Sequence, residues 1–192
     1  MSKVKIFNIY LIGVGGQGIG LLSEVIIRAC DYAGYPVRGV DTHGLAQRGG
    51  TVISHIRIGE GVYSPLIQAH MADLVVALER NEALRGVNEY LKDGGTLVYY
   101  DALWQPLSVR LGKSKKTEGQ VISDECSLRN IKEIKVFRAE LEDPRMQNVA
   151  VLSEMAKFKL IPAVEMTHYE TALKDLITGK VLEKNLHVFS CL

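Results

Sequence analysis

Cysteine is scarce in this chain. The only ones, Cys30, Cys126 and Cys191, are odd in number, far apart, and form no Cys-x-x-Cys pair. That spacing excludes a disulfide scaffold, a cysteine-rich zinc site and a self-contained iron–sulfur cluster, which need several cysteines at short intervals. Three reduced thiols in a cytoplasmic protein are the simplest reading. An excess of charge of one sign is also missing: 23 basic residues stand against 22 acidic ones, a formal net charge of +1. No global field therefore draws the chain onto nucleic acid or an anionic membrane. Long apolar runs are absent too, none approaching the ~20 residues that span a bilayer. The start, Met1 to Lys5 followed by a short strand-like run and glycines, does not read as a signal peptide. The expectation is a cytoplasmic protein with no nucleic-acid or membrane partner, whose ligands are to be sought at local sites.

What is present is a 192-residue chain with 47% hydrophobic residues, enough for one domain over residues 1–192 with a sizeable core. Short apolar runs alternate with helical patterns. Strands are expected at Ile6 to Ile12, Tyr35 to Val40, Thr51 to Ile58, Ala72 to Leu78, Thr96 to Tyr100 and Ile134 to Arg138. Helices are expected after the first strand, on Leu21, Leu22, Val25, Ile26 and Ala29, and over Asn81 to Leu91, stopped by Asp93-Gly94-Gly95. Another starts near Pro144, with Val149, Leu152, Met155 and Ala156 on one face, and a last helical region, Glu165 to Leu186, breaks at Gly179. Gly59-Glu60-Gly61 predicts a tight turn into a hairpin strand at Val62-Tyr63-Ser64, which makes the sheet mixed. Leu103 to Ser123 reads as a surface excursion, with short strands at Ser108 to Leu111 and Gln120 to Ile122 and a solvated basic group, Lys113, Lys115 and Lys116. The fold class is a three-layer, Rossmann-like α/β arrangement: a largely parallel, mixed sheet with helices on both faces.

Two stretches carry chemistry. GVGGQGIG, Gly13 to Gly20, stands between a strand and a helix. Glycines there allow positive φ and close backbone approach, and the first N–H groups of the helix point at any anion placed before them. Gly13, Gly15 and Gly18 fit G-x-G-x-x-G, and Asp41 ends the second strand near where a dinucleotide fold keeps its ribose-binding carboxylate. No Tyr-x-x-x-Lys pair or downstream His and Asp partners suggest hydride transfer. The second stretch, Thr42 to Gly50, reads THGLAQRGG and follows the second strand at its carboxyl end. Arg48 offers a planar fork for carboxylate or phosphate, Gly49 and Gly50 admit close backbone approach, Gln47 suits a carbonyl or hydroxyl, and His43 titrates near neutral pH. His43, His55, His70, His168 and His187 show no metal-ligand spacing. His55 reads as a core or face residue of its strand, and Asp73 and Glu79 as residues that cap or orient loops at the two ends of the fourth.

These residues resemble the gamma-type subunit, or domain, of the 2-oxoacid:ferredoxin oxidoreductases. The resemblance rests on GVGGQGIG, on HGLAQRGG (His43 to Gly50), SHIRIG (Ser54 to Gly59), SPLI (Ser64 to Ile67), ADL (Ala72 to Leu74) and ALERNEALR (Ala77 to Arg85). It continues weakly through Asn148 and Glu183-Lys184-Asn185, and Ser153 stands where relatives tend to have glycine. Within the superfamily the HG-x-x-QRGG form most resembles the beta subunit of indolepyruvate ferredoxin oxidoreductase.

The resemblance implies oxidative decarboxylation of a 2-oxoacid, an arylpyruvate in that branch, to an acyl-CoA, with electrons passed to ferredoxin. Thiamine diphosphate with magnesium and the iron–sulfur clusters would sit on a larger partner chain, because this one has neither a GDG-type thiamine motif nor enough cysteines. Binding and orientation remain for this subunit. Gly13, Gly15, Gly16, Gln17 and Gly18 would cradle a phosphate of coenzyme A or an equivalent anion. Thr42, Gln47, Gly49 and Gly50 would complete the site, and Arg48 with His43 would position substrate. A free-standing nucleotide-binding dehydrogenase and a non-catalytic assembly module are the alternative readings.

Overall fold

The computed structural model of the chain describes residues 6–41, 50–103, 117–141 and 143–190. The first apolar run forms β1 (Phe7–Val14), buried on both faces as a central strand under two helix layers must be. After the glycine turn, α1 (Ile19–Tyr32) buries Leu22, Val25, Ile26 and Ala29 on one stripe. There follow β2 (Val37–Asp41), β3 (Thr51–Ile58), β4 (Ala72–Ala77), α2 (Arg80–Glu89) and β5 (Leu91–Tyr100). Then come α3 (Gly119–Leu128), β6 (Lys132–Val136), a 3-10 turn at Pro144–Met146, α4 (Gln147–Lys157), α5 (Met166–Leu176) and α6 (Gly179–Ser190).

The described strands form one sheet in the order β2-β3-β1-β4-β5-β6. β1, β4, β5 and β6 run parallel, while β3 is antiparallel to both of its neighbours, β1 and β2. The sheet is mixed, as expected, but by a different route. Val62 to Ser64 forms no strand; Tyr63 is 93% exposed, and Pro65 brings no N–H to a ladder. Side chains of β3 hold that segment instead. The Arg57 guanidinium donates to the carbonyls of Ser64 at 3.0 Å and Leu66 at 3.4 Å, and Ile67 N–H donates to His55 Nδ1 at 3.2 Å. The strand expected at Gln120 to Ile122 is also corrected: these residues lie in α3, whose buried side chains, Ile122 and Cys126, are one helical turn apart. Three residues are too few to separate a period of 2 from one of 3.6. β5 starts at Leu91, so Asp93-Gly94-Gly95 lies inside a strand that begins irregularly, with Gly94 at φ +70°. Ser108 to Leu111 and Lys113, Lys115 and Lys116 lie outside the described residues.

Alternate residues of the strands feed two separate cores. On one face Ile9, Leu11, Ile56, Leu74, Val76 and Val98 pack beneath α1, α4 and α5, joined by Phe189 of α6. On the other Tyr10, Ile12, Val75, Ala77, Leu97 and Tyr99 pack against Ala83 and Val87 of α2 and Ile122 and Cys126 of α3. The three layers follow directly. Ser153 is fully buried, and its hydroxyl ties α4 to α6 by donating to Phe189 O at 2.7 Å. It accepts from the Arg138 guanidinium at 3.3 Å, so serine makes here a bond that glycine would not.

Candidate functional site

Adjacent parallel strands β1 and β4 send their helices to opposite faces of the sheet. The carboxyl ends of these two strands are therefore a topological switch point, where α/β sheets open a crevice. Gln17 fills it. Its side chain is fully buried, Oε1 accepting from Val14 N–H at 2.7 Å and Nε2 donating to Leu78 O at 3.0 Å. Its own N–H is taken by Val14 O at 3.1 Å. The residue placed by sequence in an anion cradle thus faces inward and braces the loop. Gly13 is needed for the same packing: a Cβ there would come within 2.9 Å of Ile19 Cδ1 and 3.0 Å of Gln17 Oε1. Gly15 N–H donates to Gly50 O at 2.8 Å, which joins the glycine loop to the last residue of the second motif. Thr42, His43, Gln47, Arg48 and Gly49 lie outside the described residues. The return from that motif is anchored at Thr51, whose hydroxyl donates to Glu82 Oε1 at 3.1 Å and accepts from Arg85 at 2.7 Å.

Gly16 and Gly18 are the open positions of the loop. Both are left-handed, at φ +103° and +82°, and their N–H groups have no acceptor among the described residues. α1 opens with Gly18 as its N-cap, no side-chain cap hydrogen bond and no acidic residue in its first turn. Among the described residues no side chain caps the positive end of the helix.

A cleft of about 810 Å³ opens at this point, reaching from Gly16 and Gly18 to Asn148, Arg145, Lys180, Lys184 and Asn185. Asn148 Nδ2 donates to Gly18 O at 3.3 Å and its Oδ1 accepts from Val149 N–H at 2.8 Å, so this amide locks α4 against the loop. Arg145 pairs with Asp143 at 2.7 Å, and that guanidinium holds the Asp143 carboxyl down to about 2. Among the described residues three cations and one carboxylate line the cleft, an excess of positive charge. Arg145 and Lys180 went unrecognised in the sequence, where isolated basic residues carry no signal. Asn148, Lys184 and Asn185 had one, because they fall in the segments through which the resemblance continues.

Asp73 and Glu79 orient the two ends of β4 as expected. Asp73 accepts from Asn8 N–H at 2.7 Å and pairs with Lys92. Glu79 is the N-cap of α2, accepting from Glu82 N–H and from Asn81 Nδ2. Burial pushes the Glu79 carboxyl up to about 7, against the opposing pull of those donors. A carboxyl raised above its unfolded value binds its proton more tightly in the native state, so stability is full at low pH and is lost as pH rises through the folded value. Between about pH 5 and about pH 8 the melting temperature should fall by a few degrees on this account. Glu79→Gln, which mimics the neutral acid, should remove that fall in a calorimetric pH series; an unchanged slope would contradict it.

His55 is a core histidine: buried, edge-on to Tyr10 at 5.1 Å and Tyr90 at 5.4 Å, and lowered in pKa by burial. Burial pushes the Cys30 and Cys126 thiols up to about 12; Cys191 lies outside the described residues. No cluster of three or more His, Cys, Asp or Glu positioned to hold a metal occurs among the described residues, and none of their helices is long and apolar enough to cross a membrane.

The family model for pyruvate ferredoxin/flavodoxin oxidoreductase matches residues 8–191. Indolepyruvate oxidoreductase subunit IorB of Archaeoglobus fulgidus is 34% identical over 183 residues, covering 93% of this chain and 90% of that protein. Among solved structures, the gamma subunit of a keto/oxoacid ferredoxin oxidoreductase from Geobacter sulfurreducens superposes with a TM-score of 0.64 at 21% identity, covering 95% of this chain and 94% of that one. A 2-oxoglutarate:ferredoxin oxidoreductase from Magnetococcus marinus, solved with 2-oxoglutarate, coenzyme A and succinyl-CoA bound, superposes with a TM-score of 0.68 at 20% identity. That match covers 97% of this chain and 30% of the other. At such identities the structural likenesses establish a shared fold.

Proposed function

This chain belongs to the pyruvate ferredoxin/flavodoxin oxidoreductase family, and on that premise we propose that it is the non-thiamine, non-cluster subunit of a cytoplasmic 2-oxoacid:ferredoxin oxidoreductase. The reaction converts a 2-oxoacid and coenzyme A to an acyl-CoA and carbon dioxide, two electrons leaving singly to ferredoxin. The HG-x-x-QRGG motif and the name of the Archaeoglobus relative favour an arylpyruvate such as indolepyruvate. Thiamine diphosphate with magnesium and the iron–sulfur clusters, on a larger partner chain, supply the decarboxylation and the electron path. This chain, working as a single domain, binds anions and completes the site.

One observation carries the reading: the uncapped start of α1, with Gly16 and Gly18 offering N–H groups, opens on a cleft lined by Arg145, Lys180 and Lys184. Backbone donors, a helix dipole and cations suit the phosphates of coenzyme A. Arg48, from the motif that ends at Gly50, clamps a phosphate or the substrate carboxylate, with Thr42, His43, Gln47 and Gly49 shaping that loop. Positioning of this kind lowers a barrier without any covalent role.

The purified chain should show no 2-oxoacid-dependent dye reduction alone and should restore it, in a coenzyme-A-dependent form, when mixed with the thiamine- and cluster-bearing subunit. Arg48→Ala should lower that turnover about tenfold, and undiminished turnover removes the clamp. Arg145→Ala with Lys184→Ala should raise KM for coenzyme A about tenfold with kcat nearly unchanged, the mark of lost ground-state binding.

A further inference from the structure

The start of α2 buries two carboxylates, Glu79 and Glu82, at the carboxyl end of β4. One is enough to open the helix, and Glu79 does so as the N-cap that takes Glu82 N–H. The spacing Glu-x-x-Glu suits a capping box, in which the second carboxylate reaches back to the N–H of the first residue. Glu82 crosses to β3 instead, where its Oε1 accepts from the Thr51 hydroxyl at 3.1 Å. Arg85 closes a ring: its guanidinium donates to Thr51 Oγ1 at 2.7 Å and lies 3.2 Å from Glu82 Oε2. Burial raises the pKa of Glu82 against the pull of Arg85 and Thr51, and its Oε2 has no hydrogen-bond partner among the described residues. An apolar pair would hold α2 to β3 at less cost, so cohesion alone does not account for this carboxylate.

What it holds is the place where the second motif re-enters the sheet. Thr51 opens β3 directly opposite Val14, the last residue of β1, and Gly50 before it accepts from Gly15 N–H at 2.8 Å. Arg48 precedes Thr51 by three residues in the sequence. We propose that Glu82, with Arg85, is a positioning residue of the oxidoreductase site: through the Thr51 hydroxyl it fixes the return of the second motif, and so the aim of Arg48, without touching substrate. Small losses of aim are costly in rate, which gives a buried carboxylate a use that stability does not. The inference rests on reading Arg48 as the clamp, and it adds the side chains on α2 that steady it.

The test uses the chain reconstituted with its thiamine- and cluster-bearing subunit and reads 2-oxoacid-dependent dye reduction. Thr51→Val keeps a β-branched side chain suited to a strand and removes the hydroxyl. Turnover should fall about fivefold, and Thr51→Ser, which restores the hydroxyl, should recover most of it. Arg85→Ala removes the other bond to Thr51 from a half-exposed side chain, so it spares the core, and should fall about threefold. The deciding comparison places Thr51→Val in the Arg48→Ala chain. A residue that acts through Arg48 has little left to lose there, so the second substitution should lower turnover less than about twofold. A merely structural role would multiply the same fivefold loss onto either background, and that result overturns the proposal. Normal turnover in Thr51→Val beside an impaired Arg48→Ala also overturns it and leaves the clamp standing. Normal turnover in Arg48→Ala removes the clamp and the positioning role together.

Discussion

Gln17→Leu should destabilise the chain by about 4 kcal/mol, a fall of roughly 10 °C in melting temperature for a chain of this size. Leucine nearly matches glutamine in volume, so no cavity opens and the loss isolates hydrogen bonding. Two backbone groups lose their partners together: Val14 N–H, which gives to Oε1 at 2.7 Å, and Leu78 O, which takes from Nε2 at 3.0 Å. Both stand at the crevice between β1 and β4, where Gln17 is wholly buried, and an orphaned buried polar group costs about 1–3 kcal/mol. Gln17→Glu is the discriminating companion. Its carboxylate still accepts from Val14 N–H but turns an oxygen toward Leu78 O, so it should melt as low as the leucine variant at neutral pH. It should recover part of the loss as acid protonates it. A leucine variant melting within a degree or two of the unaltered chain would mean that the loop holds itself without this brace.

Gln17 also marks where sequence reasoning stops. A glutamine between glycines at the start of a helix reads as a ligand group, because composition reports what a side chain can bond and not which way it points. The strand–glycine–helix unit around it was legible, since a buried apolar run, positive-φ glycines and an amphipathic stripe are all local signals. β3 was legible as a strand, yet not its place: lying antiparallel between β1 and β2 depends on pairings that no local pattern encodes. Two side chains, Arg57 and His55, decide that residues 64–67 are held without a strand. That Asn148 and Lys184 wall the glycine loop was hidden for a related reason, although both fall in segments that carry the resemblance. Asn148 lies 130 residues beyond Gly18, and only the fold brings it, with Lys184, to the loop. What the sequence did show of the site, the nearness of the two glycine motifs, appears in the structure as one hydrogen bond from Gly15 to Gly50.

Gly18→Ala should cost about 3–4 kcal/mol and lower affinity for coenzyme A at least about tenfold, whereas Gly16→Ala should cost only about 1–2 kcal/mol. Both glycines are left-handed, at φ +82° and +103°, so each alanine carries the backbone strain of a Cβ in that region. Their surroundings differ. A Cβ on Gly16 meets nothing within 4 Å, but one on Gly18 would lie 2.5 Å from Asn148 Nδ2. That amide has little freedom to retreat: it is buried, donates to Gly18 O and accepts from Val149 N–H. Relief must come from shifting the start of α1, which moves the N–H groups of the proposed anion site. Thermal melts give the first comparison and titration with coenzyme A the second. Equal losses of stability in the two variants would assign the effect to backbone strain alone, and unaltered coenzyme A binding in a folded Gly18→Ala chain would remove the loop from the binding site. Adding Asn148→Ala to Gly18→Ala opens the space that the new methyl needs. The double variant should therefore fall short of the sum of its two single losses by about 1 kcal/mol or more, as expected for residues in direct contact.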